Sequence, residues 1–422
     1  MKKMKKATTI LALSALSLSM LTACGPKEEK ETAGKDSKKA YDLLVWEDNN
    51  KKIEGLKDAV TAFEKENNVK IKVEEIQTTE QVEQLRLDGA SGKGPDVITL
   101  PHDKIGGAAV EGLLAEVQVD QSVVDTFTES SIKALTYEGK LYGLPKAVET
   151  PVFVYNKALM SEAPATMDEV YAFAKENTKD GQYGFLAKWD DFYYAYGAVG
   201  GSGGYVFGDK DGVPNPQDLG LQTAGAIEGA EFIQKWYSEE LFPKGIIGDN
   251  GGSALDSLFT EGKVAAVMTG PWSFQAYADA GIDIGVAPMP KMPNGKPVQT
   301  FQGVKGWHVT STSKNQELAT KFVEFITNAD NAKIRFEKTE EIPPVVSLME
   351  SDLIKNNEKA NAVAQQSIDA LPMPNIPEMQ EVWDPMKTAL QLIATGKSKP
   401  KDALADATKQ IEGNIKANHS GK

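Results

Sequence analysis

Short apolar segments alternate with amphipathic segments over the first hundred residues of the chain. The apolar segments predict three strands, over residues 43–46, 71–76 and 96–100. Of the two helices predicted between them, the first has its apolar face at Ile53, Leu56, Val60 and Phe63, and the second covers residues 80–87. Strands separated by helices indicate a parallel sheet, whose ligands bind outside the carboxyl ends of the strands. Two polar clusters, over residues 46–51 and 101–104, are therefore expected at one edge.

The alternation continues to about residue 310, after which helices dominate. Further strands are predicted over residues 183–186, 264–268, 285–289 and 306–310. Further helices are predicted over residues 167–176, 223–239, 254–259, 318–326 and 400–415. Because 422 residues are too many for one hydrophobic core, the pattern predicts two α/β lobes.

One carboxylate interrupts an apolar segment over residues 145–156. Residues 152–155 are β-branched or aromatic and predict a strand, whereas Pro145 and Pro151 oppose a helix and a regular central ladder. Glu149 lies between these prolines, and burying it without a partner would be costly. We therefore expect Glu149 to face a water-filled or ligand-filled cleft where two structural units meet. The alternative is an ordinary surface glutamate in a loop.

The amino-terminal residues have the layout of a bacterial export signal. Four lysines precede an uncharged stretch over residues 7–23, which is followed by the only cysteine, Cys24. The sequence Leu21-Thr22-Ala23-Cys24 resembles a lipobox, so residues 1–23 are expected to be removed and Cys24 to be diacylated. Residues 24–40 contain no large apolar side chain apart from this cysteine and predict a flexible tether.

Charge and composition exclude several classes of function. Loss of the four signal lysines takes the net charge from −14 to −18, which argues against nucleic acid as a partner. The three histidines, His102, His308 and His419, have no metal-ligand spacing, and the chain has neither a P-loop nor a dinucleotide fingerprint. We expect no metal and no cofactor.

A surface hydrolase remains an alternative. Residues 200–204 match G-x-S-x-G, but the strand-turn-helix context of a nucleophile elbow is missing, so a glycine-rich turn is preferred. The catalytic pairs to consider are Ser202 with His308, Asp190 with Asp191, and Glu149 with either aspartate.

Aromatic residues near predicted strand ends and helix starts indicate a different kind of site. These residues are Trp46, Trp189, Tyr193, Trp272, Trp307 and Trp383. Flat rings cover the C–H faces of sugars, while carboxylates, amides and ammonium groups bind the hydroxyls. Any one of these rings alone is more typical of a core. Together with Asn50, Lys51, Asp103, Lys104 and Glu149, they indicate binding of a polyhydroxyl ligand without bond cleavage.

A series of ordered islands resembles the maltose- and maltodextrin-binding proteins that feed carbohydrate ABC importers. The resemblance runs from Leu43 to about Ile415. Its islands are Gly94-Pro95-Asp96-Val97-Ile98, His102-Asp103-Lys104-Ile105-Gly106-Gly107, Ala147-Val148-Glu149, Tyr155-Asn156-Lys157, Gly203-Gly204-Tyr205, Gly270-Pro271-Trp272 and Met373-Pro374-Asn375-Ile376-Pro377 followed by Trp383.

The resemblance implies a periplasmic-binding-protein-like clamp of two α/β lobes, each with a mainly parallel sheet flanked by helices. It implies three crossings between the lobes, near residues 147–150, 301–306 and 352–358. Lobe 1 would then comprise residues 41–148 and 302–352, and lobe 2 residues 149–301 and 353–422.

The resemblance also implies a site. Sugar contacts carry over onto Asn50, Lys51, Asp103, Lys104, Glu149, Asp191, Tyr193, Trp272 and Trp383. Four positions depart from the family pattern: Leu100 and Asp384 replace aromatic residues, and Lys104 and Lys387 replace arginines. Lysine lacks the planar fork of arginine, and lost rings alter stacking, so the preferred sugar and chain length are open.

The expected function is an extracytoplasmic receptor, not an enzyme, that captures α-glucan oligosaccharides and delivers them to the permease subunits of an ABC importer. It would be a monomer held at the bacterial cell membrane by the lipid on Cys24. The alternatives are the surface glycoside hydrolase and the same clamp with another oligosaccharide, such as a cyclodextrin or a galactan fragment.

Overall fold

The computed structural model describes residues 40–89, 91–210 and 213–419, the side chains of Asn50 and Lys210 excepted. Tyr41–Lys422 forms one compact unit. The predicted export signal, Cys24 and the tether up to residue 39 lie outside the described residues. None of the described helices combines the length and the apolar composition that a membrane span needs.

Strands and helices alternate along the described chain, as the sequence pattern predicts. The strands are β1 (Leu43–Glu47), β2 (Ile71–Glu75), β3 (Val97–Pro101), β4 (Thr136–Tyr137), β5 (Lys140–Leu141), β6 (Leu144–Glu149), β7 (Val152–Asn156), β8 (Tyr183–Ala187), β9 (Phe207–Lys210), β10 (Val213–Leu219), β11 (Val264–Thr269), β12 (Ile284–Ala287), β13 (Phe301–Val309) and β14 (Leu371–Pro372). The helices are α1 (Asn50–Asn67), α2 (Gln81–Gly89), α3 (Ile105–Val110), α4 (Gln121–Val124), α5 (Glu129–Ala134), α6 (Met167–Asn177), α7 (Phe192–Gly201), α8 (Ala224–Ser238), α9 (Gly251–Thr260), α10 (Pro271–Asp279), α11 (Gln316–Thr327), α12 (Ala329–Thr339), α13 (Val346–Met349), α14 (Asp352–Lys355), α15 (Glu358–Asp369), α16 (Gln380–Ala394) and α17 (Pro400–His419). Short 3₁₀ helices cover His102–Lys104, Lys244–Ile246 and Pro377–Met379.

Polar side chains at their amino termini explain where several helices begin. The Asn49 side chain accepts a hydrogen bond from the Lys52 amide at 3.2 Å and caps α1. Thr166 and Glu169 form a reciprocal capping box at α6. Such caps satisfy amide groups that the first helical turn leaves free.

The first sheet contains six strands in the order β14-β13-β3-β1-β2, with β6 also paired to β13. β1 runs parallel to β2 and β3, whereas β13 runs antiparallel to β3 and to β6. β1, β2, β3 and β6 therefore all end at the same edge of this sheet, where β13 begins.

The second sheet has the order β12-β7-β11-β8. β8 runs parallel to β11, but β7 is antiparallel to both β11 and β12. The sheet that was expected to be mainly parallel is therefore mixed, with β8, β11 and β12 running one way and β7 the other. Only two residues separate β6 from β7, so β7 enters this sheet at the edge where β8, β11 and β12 end.

The strand-ending edges of both sheets thus meet at one place, which we call the junction. Two chain segments run side by side there, since the Thr150 and Thr300 hydroxyl oxygens are 2.6 Å apart and Thr150 Oγ1 donates to the Phe301 carbonyl at 2.9 Å. Both threonines are fully buried. The exact lobe limits over residues 41–148, 302–352, 149–301 and 353–422 stay a prediction.

The hairpin of β9 and β10 is an element that the hydrophobic pattern does not reveal. Pro214 and Pro216 lie within β10 and argue against a strand in sequence. The hairpin forms its own two-stranded sheet, where a proline removes few ladder hydrogen bonds.

Candidate functional site

Four of the predicted site residues converge at the junction from three different elements. Asp103 follows β3, Glu149 ends β6, and Asp191 and Tyr193 begin α7. Burial together with the nearby carboxylates of Glu149, Asp103 and Asp191 raises the pKa of Tyr193 well above its ordinary value. These residues, with Trp272 and Trp383, are called the junction site below.

Half-buried aromatic rings line the junction site. The Trp272 ring centroid lies 6.0 Å from that of Tyr193 and 6.3 Å from that of Tyr194. Phe301, which is fully buried, lies 6.3 Å from Tyr193 and 6.1 Å from Trp383. Phe301 therefore packs against Tyr193 of α7 and Trp383 of α16. The rings of Tyr193, Tyr194, Trp272 and Trp383 keep part of their surface accessible.

Gly270 explains how Trp272 reaches its position. Trp272 is the second residue of α10, directly after Pro271 at the first helical position. A Cβ at Gly270 would lie 2.2 Å from Cζ3 of the Trp272 ring, so only glycine lets the indole fold back over the helix start. The island Gly270-Pro271-Trp272 is thus one structural unit.

Asp191 and Asp103 are carboxyl groups at the junction site. Asp191 Oδ1 accepts the Tyr193 amide at 2.9 Å and caps α7. Burial raises the pKa of Asp191 and that of Asp103. Either carboxyl group can therefore accept a hydroxyl hydrogen bond and, when protonated, donate one.

Gln380 on α16 holds the segment that carries Asp103 and Lys104. Its Nε2 donates to the Asp103 carbonyl at 2.7 Å, and its Oε1 accepts from Lys104 Nζ at 2.6 Å. His102 adds a second anchor, because its Nδ1 accepts the Val304 amide at 3.1 Å and its Nε2 donates to the Met373 carbonyl at 2.8 Å. This arrangement requires the neutral tautomer with the proton on Nε2, and burial lowers the pKa of His102.

Glu149 faces the junction site but is not a free carboxylate. Its Oε2 lies 2.9 Å from Lys305 Nζ, and the two side chains are 16% and 14% exposed. The sequence predicts a carboxylate that faces water or ligand because its charge has no partner. The second part of this prediction is wrong, since Lys305 compensates the charge. Lys305, which lies on the neighbouring strand β13 but is far from Glu149 in sequence, supplies its counter-ion.

The Glu149–Lys305 pair belongs to a buried ionic network that the sequence does not reveal. The network comprises Glu47, Lys52, Lys146, Glu149, Lys305, Arg335 and Glu341. Lys146 Nζ donates to both Glu47 carboxylate oxygens, at 2.7 and 2.8 Å, and lies 3.5 Å from Glu341. Glu341 also lies 3.2 Å from Lys52 Nζ. Burial alone would raise the pKa of Glu341, but Lys146, Lys52, Lys305 and Arg335 hold it well below its ordinary value.

The remaining predicted residues occupy several environments. Lys51 on α1 is half exposed and lies 3.7 Å from Asp279 at the end of α10, so it joins the two sides of the junction. Lys387 pairs with Asp249, and Asp384 is exposed nearby on α16. The Asn50 side chain lies outside the described residues.

Three of the tryptophans expected near the ligand are core residues instead. Trp46 and Trp189 are 2% exposed and Trp307 is fully buried. The Trp189 ring lies 5.6 Å from the ring of Trp236 on α8. Leu100 is also fully buried, so the residue that replaces a family aromatic faces the core and leaves no exposed side chain at that position.

The hydrolase alternative finds no support in these positions. Gly200 and Gly201 are the last residues of α7 rather than part of a turn, and Ser202 is its C-cap. His308 lies within β13, where its Nδ1 bonds to the Tyr142 carbonyl at 2.7 Å, and burial lowers the pKa of His308 to about 4. No hydrogen bond among the described residues joins Ser202 to His308.

Comparisons with known proteins identify the family of this chain. The family model described as bacterial extracellular solute-binding protein matches residues 58–362. A galactooligosaccharide-binding protein of Bacillus subtilis is 49% identical, with 100% of each chain covered. A maltooligosaccharide ABC transporter solute-binding lipoprotein of Streptococcus pneumoniae is 37% identical, with 98% of each chain covered.

A solved structure shares the fold. The crystal structure of a cyclo/maltodextrin-binding protein complexed with maltotetraose superposes with a TM-score of 0.78 at 41% identity, covering 89% of this chain and 97% of the other. The predicted family and the predicted two-lobed α/β fold are thereby confirmed.

Substitutions of Tyr193 test whether its ring is packed in the junction site while its hydroxyl group lacks a partner. This oxygen is buried and has no hydrogen-bond partner among the described residues. Tyr193→Phe should therefore leave the free energy of unfolding unchanged or raise it by up to about 1 kcal/mol. Tyr193→Ala, the matched variant, also removes the packed ring and should lower it by about 2 kcal/mol or more. Urea unfolding followed by circular dichroism measures both, and equal losses in the two variants would contradict the assignment.

Proposed function

The chain belongs to the bacterial extracellular solute-binding proteins, and from that premise we propose that it captures maltodextrin-type oligosaccharides at the junction site and delivers them to an ABC importer. The observation that carries this proposal is the meeting of half-buried rings with hydroxyl acceptors. Tyr193 lies near the carboxylates of Glu149, Asp103 and Asp191. The Trp272 ring lies 6.0 Å from the Tyr193 ring, and Trp383 packs on the same Phe301 ring as Tyr193.

Each half of this arrangement suits one part of a sugar. The ring faces match the C–H surfaces of pyranose rings, where burial of apolar area favours binding. Carboxylates accept hydrogen bonds from hydroxyl groups in fixed directions and fix the orientation of the ligand. The buried hydroxyl of Tyr193 and indole Nε1 of Trp383, both without a partner among the described residues, add two further groups that a ligand would satisfy.

Residues from both sides of the junction make up the site, so a ligand that contacts both favours the closed state. Only such a difference in affinity between open and closed states shifts their balance. The closed form would then be the one that docks on the permease subunits.

Binding rather than hydrolysis is the proposed outcome. A glycosidase needs one protonated carboxyl group and one free carboxylate at a suitable separation. Glu149 is paired with Lys305, and Asp191 caps α7, so each already has a structural partner. The relatives reported above are named as a binding protein and as a solute-binding lipoprotein of an ABC transporter.

A galactooligosaccharide is the second candidate ligand. A relative that is 49% identical over the whole chain is named for that ligand. Asp384 and Lys387 on α16 stand where the maltodextrin-binding pattern has an aromatic and an arginine, and Lys387 pairs with Asp249. A carboxylate in place of a ring favours a ligand that forms directional hydrogen bonds over one that stacks.

Lipid attachment through Cys24 is proposed to hold the receptor at the extracytoplasmic face of the cell membrane. The lipobox-like sequence before Cys24 supports this proposal, as does the name lipoprotein carried by the pneumococcal relative. A monomer with no cofactor completes the proposal.

Calorimetric titration tests the ligand and the site together. Linear maltodextrins, cyclodextrins and galactooligosaccharides are titrated into the purified protein, and we expect binding of the linear maltodextrins. Trp272→Ala should lower that affinity at least tenfold, about 1.4 kcal/mol, because it removes a stacking ring. Tyr171→Ala, which removes a half-buried ring from α6 on the outside of the second sheet, is the matched control and should change affinity less than twofold.

Chain-length analysis of the oligosaccharide recovered from these titrations serves as the control for hydrolysis, and shortened products would support the enzyme instead. Preference for galactooligosaccharides would keep the clamp and replace the ligand. Equal affinity of wild type and Trp272→Ala would contradict the junction site.

Mass spectrometry of the mature amino terminus tests the anchor. Protein extracted from membranes of the producing bacterium should begin at Cys24 and carry a diacylglyceryl group, because the thiol is the only acceptor that the lipobox offers. The Cys24→Ala variant should keep residues 1–23 or be released into the medium. A mature chain beginning at another residue, without lipid mass, would refute the anchor.

A further inference from the structure

The side chain of Glu149 is held across the neighbouring strand instead of projecting freely into the junction. Glu149 on β6 pairs in register with Gly303 on β13. A Cβ at Gly303 would lie 3.0 Å from Glu149 Cγ and 3.3 Å from Oε1. The carboxylate thus lies over a position that has no side chain, and any larger residue there would displace it.

Lys305 lies on the same face of β13 as Gly303, and we call these two residues the carboxylate cradle of Glu149. It follows Gly303 by two residues, so both positions point to one side of the strand. Its Nζ binds Glu149 Oε2 at 2.9 Å. Oε2 is therefore occupied by the lysine. No hydrogen bond among the described residues occupies Oε1, which can accept one from another donor.

Lys305 stays charged in this setting. Burial by itself would lower the pKa of Lys305, but the carboxylates of Glu149, Glu341 and Asp48 outweigh it and raise that pKa above its ordinary value. The other cations of the buried ionic network have their own partners, since Lys146 binds Glu47 and Lys52 lies at Glu341. Glu149 is consequently the partner on which Lys305 depends.

We propose that Lys305 is a positioning residue for ligand binding, which fixes the Glu149 carboxylate over Gly303 and presents its Oε1 to a sugar hydroxyl. The inference rests on the proposed function of the junction site. Lys305 acts through Glu149 and needs no contact with the sugar. A carboxylate fixed before the ligand arrives loses less freedom on binding, which strengthens the interaction.

The competing explanation is that the pair only stabilises the first sheet. A purely structural role would lower the thermal stability of Lys305→Met and leave the affinity of the folded protein unchanged. A positioning role would vanish once Glu149 is neutral, because Lys305 then has no carboxylate to direct. A double-variant cycle separates these two.

The cycle uses Lys305→Met, Glu149→Gln and the double variant, with the oligosaccharide that binds the wild type as titrant. Lys305→Met alone should lower the calorimetric affinity at least about tenfold. In the Glu149→Gln background, Lys305→Met should change the affinity less than twofold. Lys338→Met, which removes a lysine paired with Asp58 at 2.7 Å on the exposed side of the same lobe, is the control and should bind as the wild type does.

Gly303→Ala gives a second test that leaves every charge in place. Its methyl group should displace the Glu149 carboxylate and lower affinity several-fold, without effect in the Glu149→Gln background. Thermal unfolding shows whether each variant folds. If Lys305→Met fails to fold, the affinity of Gly303→Ala tests the proposal in its place.

The outcomes separate the inference from the proposed function. Equal losses from Lys305→Met in both backgrounds, or no loss from either Lys305→Met or Gly303→Ala, would overturn the inference while the receptor function stands. Failure of the wild type to bind any oligosaccharide of the panel would overturn the proposed function and, with it, this inference.

Discussion

The buried ionic network is the constraint on which the junction depends. Its members come from β1, α1, β6, β13, α12 and the segment after α12, so their pairing ties these elements together. A charge removed from water costs several kcal/mol unless it is paired, and loss of one partner leaves the other exposed to that penalty. The sheet edge can therefore adopt few arrangements other than the one in which Lys146 meets Glu47 and Lys305 meets Glu149.

The aromatic side of the junction is fixed by packing rather than by charge. Phe301, at the start of β13, stacks on Tyr196 of α7 with ring centroids 3.9 Å apart, and also contacts Trp383 of α16. The same strand carries Gly303 and Lys305 a few residues further on. β13 thus places the aromatic support and the carboxylate cradle at a set spacing, and a ligand between them contacts both kinds of group at once.

The sequence was informative where a pattern reports local structure. Helical periodicity and strand composition predicted most of the main elements, and the position of Glu149 between two prolines indicated the junction. Lys305, Lys146 and Glu341 were missed because partners far apart in sequence leave no local pattern. Trp46, Trp189 and Trp307 were overvalued, since a tryptophan at a strand end can face the core as readily as the ligand. The direction of β7 was missed because it follows from a two-residue connection between sheets.

A crystal structure of the protein with a bound linear maltooligosaccharide would show how the ligand lies in the junction site. We expect a sugar ring stacked on Trp272 and a sugar hydroxyl donating to Glu149 Oε1, while Oε2 stays bound to Lys305. A sugar bound away from the junction site, or a Glu149 side chain turned off Gly303 and Lys305 to reach its ligand, would contradict this expectation.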